Sequence, residues 1–246
     1  TGLLDADGSL SFNFKHDQNR PGRYFIGLNL HLTASDAVDR NGFVGSLPQL
    51  TGMGSTHRYG ERKQFLVWSV GKRADLERLL PRLTKHMVIK AKHWQWMLDT
   101  WRALRQNSNT VSEGERERLS AASKESRNTR VGPLKPKNHP TWAWLAGYLD
   151  GDGWYRYQKT YAKTIGYWQW SMSMGAVAHI NDVSVLEFLQ RAFGGIIRDH
   201  SKDNDRLKIW YRSLGYQNRS FALNFLPNVA KHSRLKRNKI QAIIHH

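Results

Sequence analysis

The heptapeptide Gly2-Leu3-Leu4-Asp5-Ala6-Asp7-Gly8 returns as Gly147-Tyr148-Leu149-Asp150-Gly151-Asp152-Gly153, 145 residues further along the chain. Further echoes follow in the same order at nearly the same offset. Leu50-Thr51-Gly52-Met53-Gly54 resembles Ala192-Phe193-Gly194-Gly195, and Val67-Trp68 resembles Ile209-Trp210. Lys90-Ala91-Lys92 resembles Arg234-Leu235-Lys236. Chance produces one such match but rarely four in order. The chain is therefore two copies of one unit, which must fold as two similar modules rather than as one continuous sheet or bundle. The copies are expected over residues 1–106 and 139–246. Residues 107–138, poor in large apolar side chains and holding Pro133 and Pro136, read as a linker with at most one helical turn around Glu115–Ala122.

Within each copy the hydrophobic period switches between two and about 3.6. Leu10, Phe12 and Phe14 alternate with Ser9, Ser11, Asn13 and Lys15, and Ile26, Leu28, Leu30 and Leu32 with Gly27, Asn29 and His31. These are strands with one apolar and one polar face. Tyr155 and Tyr157 against Arg156 and Gln158, and Trp168, Trp170, Met172 and Met174 against Gln169, Ser171 and Ser173, repeat the pattern. A helix is expected over Val183–Phe193, closed by Gly194-Gly195, with a weaker counterpart near Gly42–Leu50 that Gly45 and Pro48 interrupt. Hairpin strands around His57–Tyr59, Gln64–Val70, Ile196–Asp199 and Leu207–Arg212 come next, then closing helices. The order per copy is helix, two strands, helix, two strands, helices. Of the ten Trp, those at 94, 101, 168 and 170 fall on apolar faces and are assigned to the core.

Composition bounds the partner. With 38 Lys and Arg against 20 Asp and Glu, the formal net charge is +18, which points to a polyanion. No cysteine is present, which excludes disulfide scaffolds, thiolate zinc sites and thiol nucleophiles. No apolar run approaches the roughly 18 residues of a membrane span, so no membrane partner is expected. No secretory signal is visible, and an intracellular location is expected without indication of host or organelle. Thr1 is not Met, and Gly2 already lies inside the repeat, so a few preceding residues are expected.

The repeated motif carries chemistry. In the second copy an apolar run from Trp144 to Leu149 includes the small residues Ala146 and Gly147, which let two helix backbones approach closely. Gly153 is expected to end that helix in a left-handed conformation. Asp152 then sits at a helix C-terminus, facing the negative end of the helix dipole. A bound cation resolves this conflict, and hard carboxylate oxygens suit Mg²⁺. If the copies pack through these helices, Asp7 and Asp152 end side by side. Together with phosphate oxygens they would make a metal-dependent phosphodiesterase site. The competing reading is a plain Asp-Gly turn, with Asp5 and Asp150 as caps. It would prevail for a single copy, but duplication inside so basic a chain reverses the balance.

Leu145 to Gly153 resembles the LAGLIDADG motif almost letter for letter, and Gly2 through Gly8 match seven of its nine positions. With the two-copy layout, the chain resembles the monomeric LAGLIDADG homing endonucleases over nearly all its length outside the linker. The resemblance implies an α+β fold of two αββαββα halves related by a pseudo-twofold axis. Each half would offer a curved antiparallel sheet to the DNA major groove, with the motif helices at the interface. It implies a monomer that cleaves double-stranded DNA at a long asymmetric site with Mg²⁺, with Ca²⁺ or Mn²⁺ as substitutes in the site. Carried over by position, the catalytic and metal-binding acids are Asp7 and Asp152. The family's lysine before the last helix matches Lys92 and Lys236, with Lys90 and Lys239 as nearby alternatives. The family's water-positioning Gln at the end of the second strand has no match in Leu32-Thr33-Ala34-Ser35 or Gly175-Ala176-Val177-Ala178. The DNA-reading positions implied are Ser9, Ser11, Asn13, Lys15, Asn29 and His31 in one half, and Arg156, Gln158, Gln169, Ser171 and Ser173 in the other. They are side chains suited to base edges. Two alternatives share the fold: an RNA-binding intron maturase, and a DNA-binding relative that does not cleave.

Overall fold

The computed structural model describes residues 1–39, 42–128, 141–164, 166–179, 183–199, 207–214 and 219–245, with the backbone alone at 128, 158, 160, 162, 169–173, 179, 199, 207–214 and 219–223. The chain divides into two units, the first essentially Leu3–Gly132 and the second Pro133–His246.

The first unit runs α1 (Gly2–Ala6), β1 (Gly8–His16), β2 (Arg23–Ser35), α2 (Phe43–Thr51), β3 (Ser55–Tyr59), β4 (Phe65–Val70), α3 (Arg73–Thr84), α4 (Ala91–Asn107), β5 (Thr110–Ser112) and α5 (Glu113–Asn128). Its antiparallel sheet has the order β1-β2-β4-β3. The alternation read from sequence decides the faces. Leu10, Leu28, Leu30, Leu32 and Val70 are buried on one side, and α3 and α4 contribute the buried Leu76, Leu80, Trp94, Met97, Leu98 and Trp101. Helix α2 forms despite Pro48, since Gly42 and Gly52 take positive φ at its two ends and the Asp39 carboxylate accepts from the Val44 N–H. Pro48 lacks a donor, but its carbonyl still accepts from Gly52 at 2.9 Å.

The second unit repeats the order with α6 (Trp142–Gly151), β6 (Gly153–Ala162), β7 (Tyr167–His179), α7 (Val183–Phe193), β8 (Ile196–Asp199), β9 (Leu207–Leu214), α8 (Arg219–His232) and α9 (Arg237–Ile244). Its sheet has the matching order β6-β7-β9-β8. Leu145, Leu149, Leu186, Leu189, Leu226 and Ile240 are fully buried. The architecture is α+β with one antiparallel sheet per half.

Two features differ from the sequence reading. Residues 107–138 were expected to be a linker, yet Thr110–Asn128 are built into the first half. Strand β5 pairs with Arg23–Phe25 of β2, an edge that β4 leaves free because it pairs only with Leu30–Ser35. Ser112 starts α5 through a capping box. Its N–H and hydroxyl donate to the Glu115 carboxylate at 2.8 and 2.9 Å, and Glu115 N–H returns to the hydroxyl at 3.3 Å. Helix α5 covers the far end of the β1–β2 hairpin, where the Arg116 guanidinium lies over Tyr24 at 5.0 Å. The second difference is Trp168. Trp94 and Trp101 are core, but Trp168 is 59% exposed at the far end of the β6–β7 hairpin, packed edge-on against Tyr161 with Lys159 over its ring. Alternation placed it on the right face, but that end of the face is open. The side chain of Trp170 lies outside the described residues.

Candidate active site

Helix α1 is only five residues long, and Asp7 is its C-cap, with φ −99° and ψ −8°. Helix α6 ends the same way at Asp152, with φ −82° and ψ −2°. Both acids thus stand at a helix C-terminus, Asp7 exposed and Asp152 partly so. The following glycine does not end the helix as expected, since neither Gly8 nor Gly153 has positive φ. Glycine is needed there for proximity. A Cβ on Gly8 would lie 2.5 Å from the Leu4 carbonyl oxygen, and one on Gly153 2.5 Å from that of Leu149. The first strand therefore leaves directly against the last helical turn, which seats the acid at the sheet's edge.

The other aspartate of each motif has a different task. Asp5 is 2% exposed, and its carboxylate accepts N–H groups from Val88, Ile89 and Lys90 at 2.7, 3.3 and 2.9 Å. Asp150 is 1% exposed and accepts from the backbone of Arg234, Leu235 and Lys236 and from the Ser233 hydroxyl. Successive N–H groups of the turn into the last helix converge on one carboxylate, so the buried charge is solvated by backbone. The cap reading thus describes Asp5 and Asp150.

The lysine at the end of each turn reaches back. Lys90 Nζ donates to the carbonyls of Leu4, Ala6 and Gly8 at 3.3, 2.7 and 2.7 Å. Lys236 Nζ donates to those of Leu149, Gly151 and Gly153 at 2.9, 3.1 and 2.5 Å. Lys90 and Lys236 are the N-caps of α4 and α9. The counterpart of Lys236 in the first half is thus Lys90. Lys92 is two residues further on, exposed on the first turn of α4, and Lys239 is exposed on α9. An ammonium on these carbonyls supplies positive charge at the negative end of the motif helix, a task the sequence reading gave entirely to a metal.

The polar faces are continuous as expected. In the first half Ser9 pairs with His31, Ser11 with Asn29, Asn13 with Gly27 and Lys15 with Phe25, and direct cross-strand partners share a face. The same face continues onto β4 and β3 through Ser69, Ser55 and His57, which the sequence reading did not include. The alternation of Ser55, His57 and Tyr59 with Thr56 and Arg58 was the available signal. The His31 ring lies 2.9 Å from the Ser69 hydroxyl. Burial, with nearby His57, holds its pKa below the ordinary value of 6.5. In the second half Arg156 pairs with Ser173 and Gln158 with Ser171, while Gln169 pairs with Thr160 on the same face. Arg156 is exposed, and the side chains of Gln158, Gln169, Ser171 and Ser173 lie outside the described residues. At the position beside each acid, the β1–β2 ladder carried one step past Gly8–Leu32 brings Thr33 level with Asp7. In the second half the Val177 N–H donates to the Asp152 carbonyl at 3.3 Å. Neither position holds Gln.

No family model matches the sequence, and no curated protein matches it. Solved structures do. I-SmaMI, a LAGLIDADG homing endonuclease bound to cleaved DNA, superposes with a TM-score of 0.71 at 18% identity, covering 98% of this chain and 84% of that one. I-SmaMI on uncleaved DNA with calcium ions gives 0.71 at 17% identity, covering 98% and 86%. The LAGLIDADG meganuclease I-AabMI on uncleaved DNA gives 0.70 at 15%, covering 99% and 88%. The fold is that of the LAGLIDADG homing endonucleases. In the LAGLIDADG fold of this chain, a motif aspartate ends the first helix of each half, and a polar sheet face begins immediately after it.

Proposed function

We propose that the protein is a site-specific endonuclease that binds double-stranded DNA along its two polar sheet faces and hydrolyses phosphodiesters with a divalent cation. The observation that carries this reading is the duplicated site: an accessible acid at a helix end in each half, built twice by the same backbone device. The residue chemistry fits a divalent cation. Among the described residues no three His, Asp or Glu cluster into a cage. A site of one or two carboxylates completed by water and phosphate oxygens is the manner of Mg²⁺. Asp7 in the first half and Asp152 in the second would each offer a carboxylate to such an ion, and Mn²⁺ or Ca²⁺ fits the same oxygens. The calcium-containing relative of this fold supports that choice. The bound ion would polarise the phosphate and lower the pKa of an attacking water. The net charge of +18 favours a polyanion, and the reading face offers Lys, Asn, Ser and a neutral His31, groups that match base edges. Both acids are on one chain, so action as a monomer on an asymmetric site follows. Intron RNA has no supporting observation.

The test is a cleavage selection from a randomised duplex library in Mg²⁺ and in chelator. A single long, non-palindromic site recovered only with Mg²⁺ is the expected result. DNA bound but never cut in any divalent metal would leave a DNA-binding protein and overturn the nuclease reading.

A further inference from the structure

The first half's polar sheet face carries two residues that a plain solvated face does not call for. On β2 the side chains of Ile26, Leu28, Leu30 and Leu32 are buried, so Phe25, Gly27, Asn29 and His31 lie on the opposite, open face. Phe25 is 43% exposed there, the one large apolar side chain on that face among the described residues of β1 and β2. A single exposed aromatic is ordinary by itself. The glycine next to it on the same face is not. Gly27 stands inside a strand, where glycine is destabilising relative to alanine. Its φ is not positive. A Cβ added to it would meet nothing closer than the Cβ and carbonyl oxygen of Asn13, each at 3.7 Å, which is ordinary contact. The backbone therefore does not require glycine here. A strand glycine without a structural reason marks the close approach of something from outside.

Strand geometry sizes the opening. At about 3.3 Å per residue, Phe25 and Asn29 are roughly 13 Å apart along β2, with no side chain between them on this face. Asn13 of β1 pairs with Gly27, and Phe25 pairs with Lys15 of β1 on one side and Thr110 of β5 on the other. With both edges of β2 paired at Phe25, the fold fixes where that ring stands. In the DNA major groove phenylalanine suits the C5-methyl group of thymine, and asparagine suits the N6 and N7 edge of adenine. These are the two members of one base pair.

We propose that the notch at Gly27 admits the major-groove edge of a thymine·adenine pair, with the thymine methyl group on Phe25 and the adenine edge on Asn13, and that Phe25 and Gly27 determine specificity at that position. The proposal rests on the reading of this face as a DNA-binding surface.

The test measures binding by the full chain to a duplex recovered by selection, with each thymine replaced in turn by deoxyuridine, which removes the methyl group alone. At one position wild type is expected to bind about fourfold more weakly, the worth of one buried methyl group. Phe25→Ala should bind the two duplexes alike. Gly27→Ala should melt no lower than wild type and still bind the thymine duplex several-fold more weakly. A 5-methylcytosine·guanine pair at that position keeps the methyl group and loses the adenine edge, and should weaken wild-type binding by roughly five- to a hundredfold. Uracil tolerated at every position, an unchanged thymine preference in Phe25→Ala, wild-type binding by Gly27→Ala, or equal binding of the 5-methylcytosine duplex would each overturn the proposal and leave DNA binding in place. Wild-type protein that selects no duplex at all would fail the DNA-binding reading itself.

Discussion

Asp5 and Asp7 are two residues apart and do opposite work. Asp5 is buried against the N–H groups of the turn into α4, whereas Asp7 is exposed at the end of α1. Residue type alone does not separate them. Their place relative to the helix end does, because a two-residue step turns the side chain from the helix's packed flank to its terminus. The same logic gives His31 its character. It lies on the polar face, yet burial and its neighbour His57 lower its pKa from 6.5. As pH falls through that value, the unfolded chain takes up the proton before the folded one does. The unfolded state binds more protons in that window, so stability present above about pH 6.5 is lost as pH drops towards the depressed folded value. The urea midpoint should therefore fall between pH 7.5 and 5.5 by more in wild type than in His31→Gln, which stays neutral. Identical pH dependence in the two proteins would show that His31 is not held neutral.

At the scale of elements, alternation and motif spacing were enough to place β1, β2, β6, β7 and the aspartates, because a period-two pattern fixes both the strand and its buried face. Three things were hidden or overlooked for physical reasons. The Lys90–Lys236 correspondence was obscured by a local likeness of Lys-x-Lys to Arg-x-Lys. Pro81 in α3 and Pro227 in α8 are 146 residues apart, as are Lys90 and Lys236, and would have set the register. Trp168 could not be placed by pattern, since alternation gives the face of a strand and not how far its cover extends. The α5 helix reads from its polarity as a single turn around Glu115–Ala122 inside a linker, although Ser112-Glu113-Gly114-Glu115 is a capping-box signature for a full helix. Ser112→Ala removes the hydroxyl that bonds the Glu115 N–H and carboxylate. It should cost about 1 kcal/mol and lower the melting temperature by about 2–4 °C for a chain of this size. Differential scanning calorimetry checks this. An unchanged melting temperature would mean that α5 is not coupled to the folding of the first half.

At the scale of the whole molecule, the duplicated halves share an order of elements and not the side chains on the polar face of the sheet. Ser11 and Asn13 stand where the repeat has Arg156 and Gln158. A chain with unlike faces calls for unlike half-sites, just as a symmetric dimer calls for a palindrome. Substituting Arg156 should relax specificity in one half-site only, read from a selection against randomised duplexes. Relaxation in both half-sites would contradict two separate reading faces. The charge of +18 sets a further expectation. Binding should weaken steeply with salt, each neutralised phosphate contributing about −0.9 to the slope of log K against log salt. The central claim is that Asp7 and Asp152, the aspartates that end the two motif helices, are the acids of a metal-dependent DNA endonuclease. Its most direct test is cleavage of a plasmid bearing one selected site in Mg²⁺ by wild type, Asp7→Asn and Asp152→Asn, with duplex binding measured alongside. The account predicts linear product from wild type, no double-strand cleavage from either variant, and binding largely kept in both. Linearisation by either variant at the wild-type rate would contradict it.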